Sequence, residues 1–141
     1  VKIASCTASS DYNGQAPCGN AYDGSMRSDW GTAGEGTGSW IKLQFAGAQA
    51  IAAMNFANRP FSSALSKGLK LEFSHRRTRV VALQQNSASQ RFALAPAVTT
   101  TFVKIVVVSV WRSLNNGAKE ISFRSLRDLG MSDLCTDNLT C

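Results

Sequence analysis

Trp40-Ile41-Lys42-Leu43-Gln44-Phe45 decides the fold: Ile41, Leu43 and Phe45 point one way while Lys42 and Gln44 point the other. This period-2 alternation belongs to a half-buried antiparallel strand, one face on a core and one toward water. Working outward, Leu69, Leu71 and Phe73 alternate with Lys70 and Glu72, and Ile121 and Phe123 with Ser122 and Arg124. Residues 99–111 carry Val103, Ile105, Val106, Val107, Val108 and Val110, apolar on both faces, and predict a central strand covered on each side. Weaker strands are expected over 51–57, 79–84 and 91–94. Gly, Ser and Asn gather in the intervening stretches 9–19, 31–39, 60–68, 86–90 and 113–117, which read as loops. No window holds an apolar stripe at helical spacing for three turns. The expected class is all-β, an antiparallel β-sandwich or jelly roll of about eight strands.

The 141 residues suit one domain, and 44% hydrophobic with 17% charged residues is a globular composition. No apolar run reaches the roughly 18–20 residues of a membrane-spanning helix. Val1-Lys2-Ile3 leads straight into polar residues without a signal-peptide pattern, so a mature or trimmed chain is expected. A net charge of +6 suits anionic partners, or serves only solubility. The basic residues form no stripe and accompany no zinc-finger or RNA-binding motif, which argues against nucleic acid.

Four cysteines, at 6, 18, 135 and 141, show no C-x-x-C spacing, and the chain has one histidine. Disulfides in an oxidising compartment explain them better than a metal does. The sequon Asn138-Leu139-Thr140 agrees with an extracellular address. Alternation is lost after Leu126, so residues 1–126 are expected to form the domain. Residues 127–141 then form a tail or the start of a linker within a larger multidomain protein.

Three groups of residues suggest chemistry. Asp23-Gly24 followed by Ser25 and Ser28 gathers a carboxylate, two hydroxyls and carbonyls, the hard oxygens calcium takes; equally, Asp-Gly is a favoured turn dipeptide. Trp30 and Trp40 are expected in the core. Trp111 precedes Arg112, Ser113, Leu114, Asn115 and Asn116, an aromatic beside a guanidinium and amides. Such a group can stack on a pyranose and bond its hydroxyls, or the ring simply caps the core. The basic run His75-Arg76-Arg77-Thr78-Arg79 suits sulfated or sialylated glycans or phosphate headgroups, or is a solvated hairpin tip. Catalysis is not expected: His75 has no partner histidine, and neither a Gly-x-Ser-x-Gly nor a Gly-Lys-Ser/Thr element is present.

Several pieces in order carry a family resemblance: Ala8-Ser9-Ser10, Asn20-Ala21-Tyr22-Asp23-Gly24 through Ser28-Asp29-Trp30, Trp40 to Phe45, Asn58-Arg59, Lys67-Gly68-Leu69-Lys70-Leu71-Glu72-Phe73-Ser74, and Ala118-Lys119-Glu120-Ile121-Ser122-Phe123. Over about residues 3–126 the chain resembles the discoidin family (coagulation factor V/VIII type C domains), whose relatives include the family-32 carbohydrate-binding modules. The hairpin after Ser74 departs from the family's Asp-Gly-x-x-Trp. The resemblance implies a non-catalytic, secreted glycan-binding module acting in adhesion, with a structural calcium ion. Its expected ligands are Asn20, Asp23, Ser25, Ser28, Glu120 and a carbonyl of Lys119 or Ala118. Ligand is expected at loops on one end of the barrel: Tyr12, Arg59, Phe61, His75, Arg77, Trp111, Arg112 and Asn115. Protein–receptor adhesion is an alternative. Anionic phospholipid is another, through Phe61, Leu65 and Trp111 backed by Arg59, Lys67 and Arg112. Animal relatives often bridge their first and last residues; here Cys18 lies inside the opening loop, so Cys6–Cys18 and Cys135–Cys141 are the favoured bridges among three possible pairings.

Overall fold

The computed structural model describes residues 1–111 and 115–129. Its strands are β1 (Ile3–Ala8), β2 (Trp30–Gly31), β3 (Trp40–Ala57), β4 (Ser66–Phe73), β5 (Thr78–Ala82), β6 (Ser89–Val110), β7 (Gly117–Ala118) and β8 (Glu120–Ser125). Short 3₁₀ turns occupy Cys18–Tyr22 and Ser62–Ala64. All pairings between these strands are antiparallel. The chain is an all-β sandwich.

Two long strands build both layers. In one layer the first half of β3 lies between β1 and the second half of β6, and β4 and β5 follow outward. In the other, the second half of β3 lies between β8 and the first half of β6. The weak strands expected at 51–57 and 91–94 are therefore not separate elements; each lies within one half of a long strand. Alternation hides the continuity because β3 crosses between layers through exposed Ala46, Gly47 and Ala48, where the register shifts between Gln44 and Gln49. These residues carry too little side chain to display a pattern. β6 crosses at Thr100, whose hydroxyl donates to the Phe102 carbonyl at 2.6 Å and accepts from Ser74 N–H at 2.9 Å.

The alternating residues meet between the layers. Ile41, Leu43, Leu69, Leu71, Val103 and Ile105 face Met54, Phe56, Ile121 and Phe123, all of them buried. Phe45 of one layer meets Phe123 of the other edge-on, with 5.5 Å between ring centres. Each such side chain contributes roughly 1.5–3 kcal/mol by leaving water. Two expectations fail. Residues 99–111 are central in their sheet, but only Thr100, Val103, Ile105 and Val107 are buried; Phe102, Lys104 and Val106 are partly exposed on the outer face. Trp30 is buried as expected, at 1% exposure, whereas Trp40 stands on the outer face, with Lys104 Nζ 4.6 Å from its ring. The cause is the alternation itself, which sends Trp40 to the side of Lys42.

Cys6 and Cys18 form a disulfide with 6.2 Å between Cα atoms, tying β1 to the 3₁₀ turn that precedes Asp23. Cys135, Cys141 and the sequon lie outside the described residues. No helix among the described residues is long and apolar enough to cross a membrane.

Candidate functional site

The first candidate site joins the opening loop to β8. Asp23 ends the 3₁₀ turn, and its Oδ1 accepts the Ser25 N–H at 3.0 Å while its Oδ2 accepts the Ser28 hydroxyl. Ser25 Oγ accepts the Arg27 N–H at 3.1 Å, and the Asn20 amide donates to the Asp29 carbonyl at 3.1 Å. Lys119 is fixed through its N–H to the Ala57 carbonyl at 2.8 Å. Glu120 faces this loop. Burial first, and the Asp23 carboxylate second, push it up from 4.5 to about 6, against the N–H groups of Gly24, Ile121 and Ser25. Glu120 Oε2 is sealed from solvent and has no hydrogen-bond partner. An orphaned buried carboxylate oxygen facing a second carboxylate is chemically what a hard cation would complete. No cluster of three or more His, Cys, Asp or Glu capable of holding a metal occurs among the described residues. Asp23 and Glu120 would thus have to be supplemented by backbone carbonyls.

The second candidate site lies at one end of the sandwich and is organised by Arg59. β2 and β7 pair over two residues only, Trp30 with Ala118 and Gly31 with Gly117. They approach because Gly117 has no side chain: a Cβ there would stand 1.9 Å from the Trp30 carbonyl oxygen. This pairing brings Asp29 and Asn115 to the Arg59 guanidinium. Nε donates to the Asp29 carboxylate, and Nη1 to the Asn115 carbonyl at 2.8 Å. Gly31 makes room for it, since a Cβ there would lie 2.5 Å from Cζ. Asn115, at φ +52°, accepts the Gly34 N–H on its Oδ1 at 2.5 Å. Phe61, 48% exposed, lies with its ring centre 4.9 Å from Arg59 Cζ. Tyr12, Arg59, Phe61, Ser63 and Asn115 line a small cleft of about 200 Å³.

Several expected members are elsewhere. Hairpin residues His75 and Arg77 do not belong to this end. β4 begins at Ser66 beside Val110 and ends at Phe73 beside Val103, so the hairpin lies at its far end, about 23 Å away at strand spacing. There His75 Nδ1 accepts the Arg77 N–H at 3.0 Å. Trp111 belongs to the correct end of β6 but does not line the cleft: its indole N–H donates to the Leu83 carbonyl at 3.3 Å and Lys67 Nζ sits 4.5 Å from its ring. Leu65 is buried rather than at an exposed tip, which breaks the apolar cluster expected for lipid. Arg112 lies outside the described residues. Sequence reasoning missed Asp29, the partner of Arg59. Its signal was a carboxylate directly before a buried tryptophan.

These features place the chain among the discoidin-like sandwiches, a fold it shares with carbohydrate-binding modules. The family-32 module of C. perfringens NanJ, solved with galactose, superposes with a TM-score of 0.73 at 13% identity, covering 84% of this chain and 91% of that one. The family-32 module of AlyQ, solved with 4,5-unsaturated mannuronic acid, gives 0.69 at 16% identity over 87% and 95%. An F5/8 type C domain from Bacteroides fragilis gives 0.69 at 16% identity over 84% and 89%. No curated protein matches the chain in sequence. The chain belongs to the family described as "Domain of unknown function (DUF7402)", whose model matches residues 1–123.

Proposed function

We propose that this chain is a glycan-binding module without catalysis of its own, taking sugar at the end formed by Tyr12, Arg59, Phe61 and Asn115. The observation that carries the reading is the locked guanidinium beside an exposed ring. Arg59 is held by Asp29 and Asn115 before any ligand arrives, and Phe61 stands next to it. A pyranose stacks its C–H face on such a ring while fixed polar groups select among its hydroxyls. Because the guanidinium is held in advance, little ordering entropy remains to be lost on binding. The small cleft suits one ring, with the rest of a glycan extending into solvent. Similarity of fold to modules solved with galactose and with an unsaturated mannuronic acid supports the ligand class.

In this reading calcium is structural. It is held by Asp23 and Glu120 with neighbouring backbone carbonyls, and it neutralises two carboxylates that otherwise repel. The Cys6–Cys18 bridge supports work outside the cell, in adhesion and as one part of a larger protein. A glycan array at physiological salt tests the proposal. The parent protein should retain a defined set of neutral or acidic sugars, and Phe61→Ala should weaken retention by about tenfold or more, the usual loss for an aromatic anchor. Silence of the parent across the array, or full retention by Phe61→Ala, would reject it.

A further inference from the structure

The outer face of the five-strand layer carries a feature that the loop-end reading leaves unused. Register aligns one residue from each strand in a transverse row: Thr7 on β1, Lys42 on β3, Lys104 on β6, Glu72 on β4 and Thr78 on β5. Across five strands the row spans about 19 Å. It floors an open trough of about 560 Å³, walled by Trp40 and Phe102 and closed at the hairpin end by Arg76.

Two observations give the trough a ligand chemistry. First, Lys42 and Lys104 are direct cross-strand partners. Like charges so placed destabilise a sheet, and the pair is spread apart onto diagonal aromatics. Lys42 Nζ rests 4.1 Å from the Phe102 ring centre and Lys104 Nζ 4.6 Å from that of Trp40. Second, the carboxylate in the row is already neutralised, because Glu72 takes Lys70 Nζ at 3.0 Å. Lys42, Lys104 and Arg76 therefore leave the trough net positive, with flat apolar rings on its walls.

We propose that this trough is a second binding site, distinct from the Arg59 end, for an extended acidic oligosaccharide whose sugar units carry carboxylates. The two lysines swing from their aromatic rests onto successive carboxylates, and Trp40 and Phe102 then offer their uncovered faces to the C–H surfaces of the sugars. Ligand charge removes the Lys42–Lys104 repulsion, so the like-charged pair becomes useful only when the trough is filled. An extended chain matches a row that crosses every strand of the layer, where a single monosaccharide would leave most of it empty. A vesicle surface fits the floor of a trough less well, since the cations lie between its aromatic walls.

Backbone-amide NMR titration with tetramannuronate tests the site, with neutral mannotetraose as the uncharged counterpart. Tetramannuronate should shift the amides of residues 40–44 and 102–106, and mannotetraose should not. The double variant Lys42→Gln/Lys104→Gln should bind tetramannuronate at least about tenfold more weakly, the loss expected when two charge-assisted contacts go. A variant with the same change of net charge on the other layer, Arg91→Gln/Arg124→Gln, should bind like the parent. Shifts confined to residues near Tyr12, Phe61 and Asn115, or equal binding by the double lysine variant, would overturn the proposal. So would equal loss in the arginine control, or binding seen only with phosphatidylserine vesicles. Galactose titrated into the double lysine variant reads the Arg59 end separately, so either site can fail while the other stands.

Discussion

Arg59 and the Lys42–Lys104 pair place positive charge on the same domain in opposite ways. The guanidinium is nearly buried, with a carboxylate and a carbonyl fixing its direction. The lysines lie on an open face, each resting on an aromatic ring. A planar fork held by two acceptors reads geometry, whereas a flexible ammonium follows charge. If both regions bind as proposed, fine discrimination falls to the loop end and reach to the sheet face. It also means that the two regions depend on the fold to very different degrees.

The largest effect is expected where the loop end has no slack. Gly117→Ala drives a Cβ into the Trp30 carbonyl, and should lower stability in urea unfolding by more than about 3 kcal/mol. A loss below about 1 kcal/mol would mean that β2 and β7 are not held as closely as described. Asp29→Ala leaves Arg59 buried without its carboxylate, and should cost about 2–3 kcal/mol by the same measurement. Arg59→Met, which removes the charge along with the need for a partner, should cost less. If the two cost the same, the guanidinium is not locked by Asp29.

Glu120 stands between the extremes, a partly buried carboxylate whose Oε2 alone has no hydrogen-bond partner. Its folded-state value of about 6 lies above the ordinary 4.5, so the fold favours the protonated form. Its contribution is present below about pH 4.5 and is lost as pH rises through about 6. Without divalent metal, the parent should lose on the order of 1 kcal/mol across that window relative to Glu120→Gln. Calcium should raise the parent's melting temperature at pH 7 and leave Glu120→Gln unmoved. Identical pH profiles for the two proteins would dismiss the buried carboxylate, and no response to calcium would dismiss the cation. The smallest effect belongs to the open face: Lys42→Gln/Lys104→Gln should change stability by less than about 0.5 kcal/mol, toward a higher melting temperature. A clear drop would show that these lysines support the sheet.

Local alternation made the framework legible. Ile41 to Phe45, Leu69 to Phe73 and Ile121 to Phe123 declare their inward faces within a few residues, because side chains alternate across a strand. The same rule, carried one residue back, puts Trp40 outside, and size was the wrong guide to its burial. The bend through Ala46, Gly47 and Ala48 left no pattern to read. The far position of His75 and Arg77 follows from the eight residues of β4, once the strand is given its full length. Asp29 and Arg59 are 30 residues apart, and no local pattern links them. The fold does: the β2–β7 pairing sets Asp29 near Asn115, and Arg59, just beyond the end of β3, reaches both. Asp23 stood out through its Asp-Gly turn with two hydroxyls close behind, but Glu120 was singled out through the family resemblance alone; periodicity leaves it an ordinary strand carboxylate.

The passage of β3 and β6 through both layers has a mechanical consequence. A sandwich made of separate sheets can slide or open like the covers of a book, but here two continuous backbones serve as its spine. Peeling one layer tears hydrogen bonds along the same strands that build the other, so the domain should yield as a whole. The two cationic regions thereby become fixed stations on one rigid body, their separation set by the spine and not by whatever occupies them.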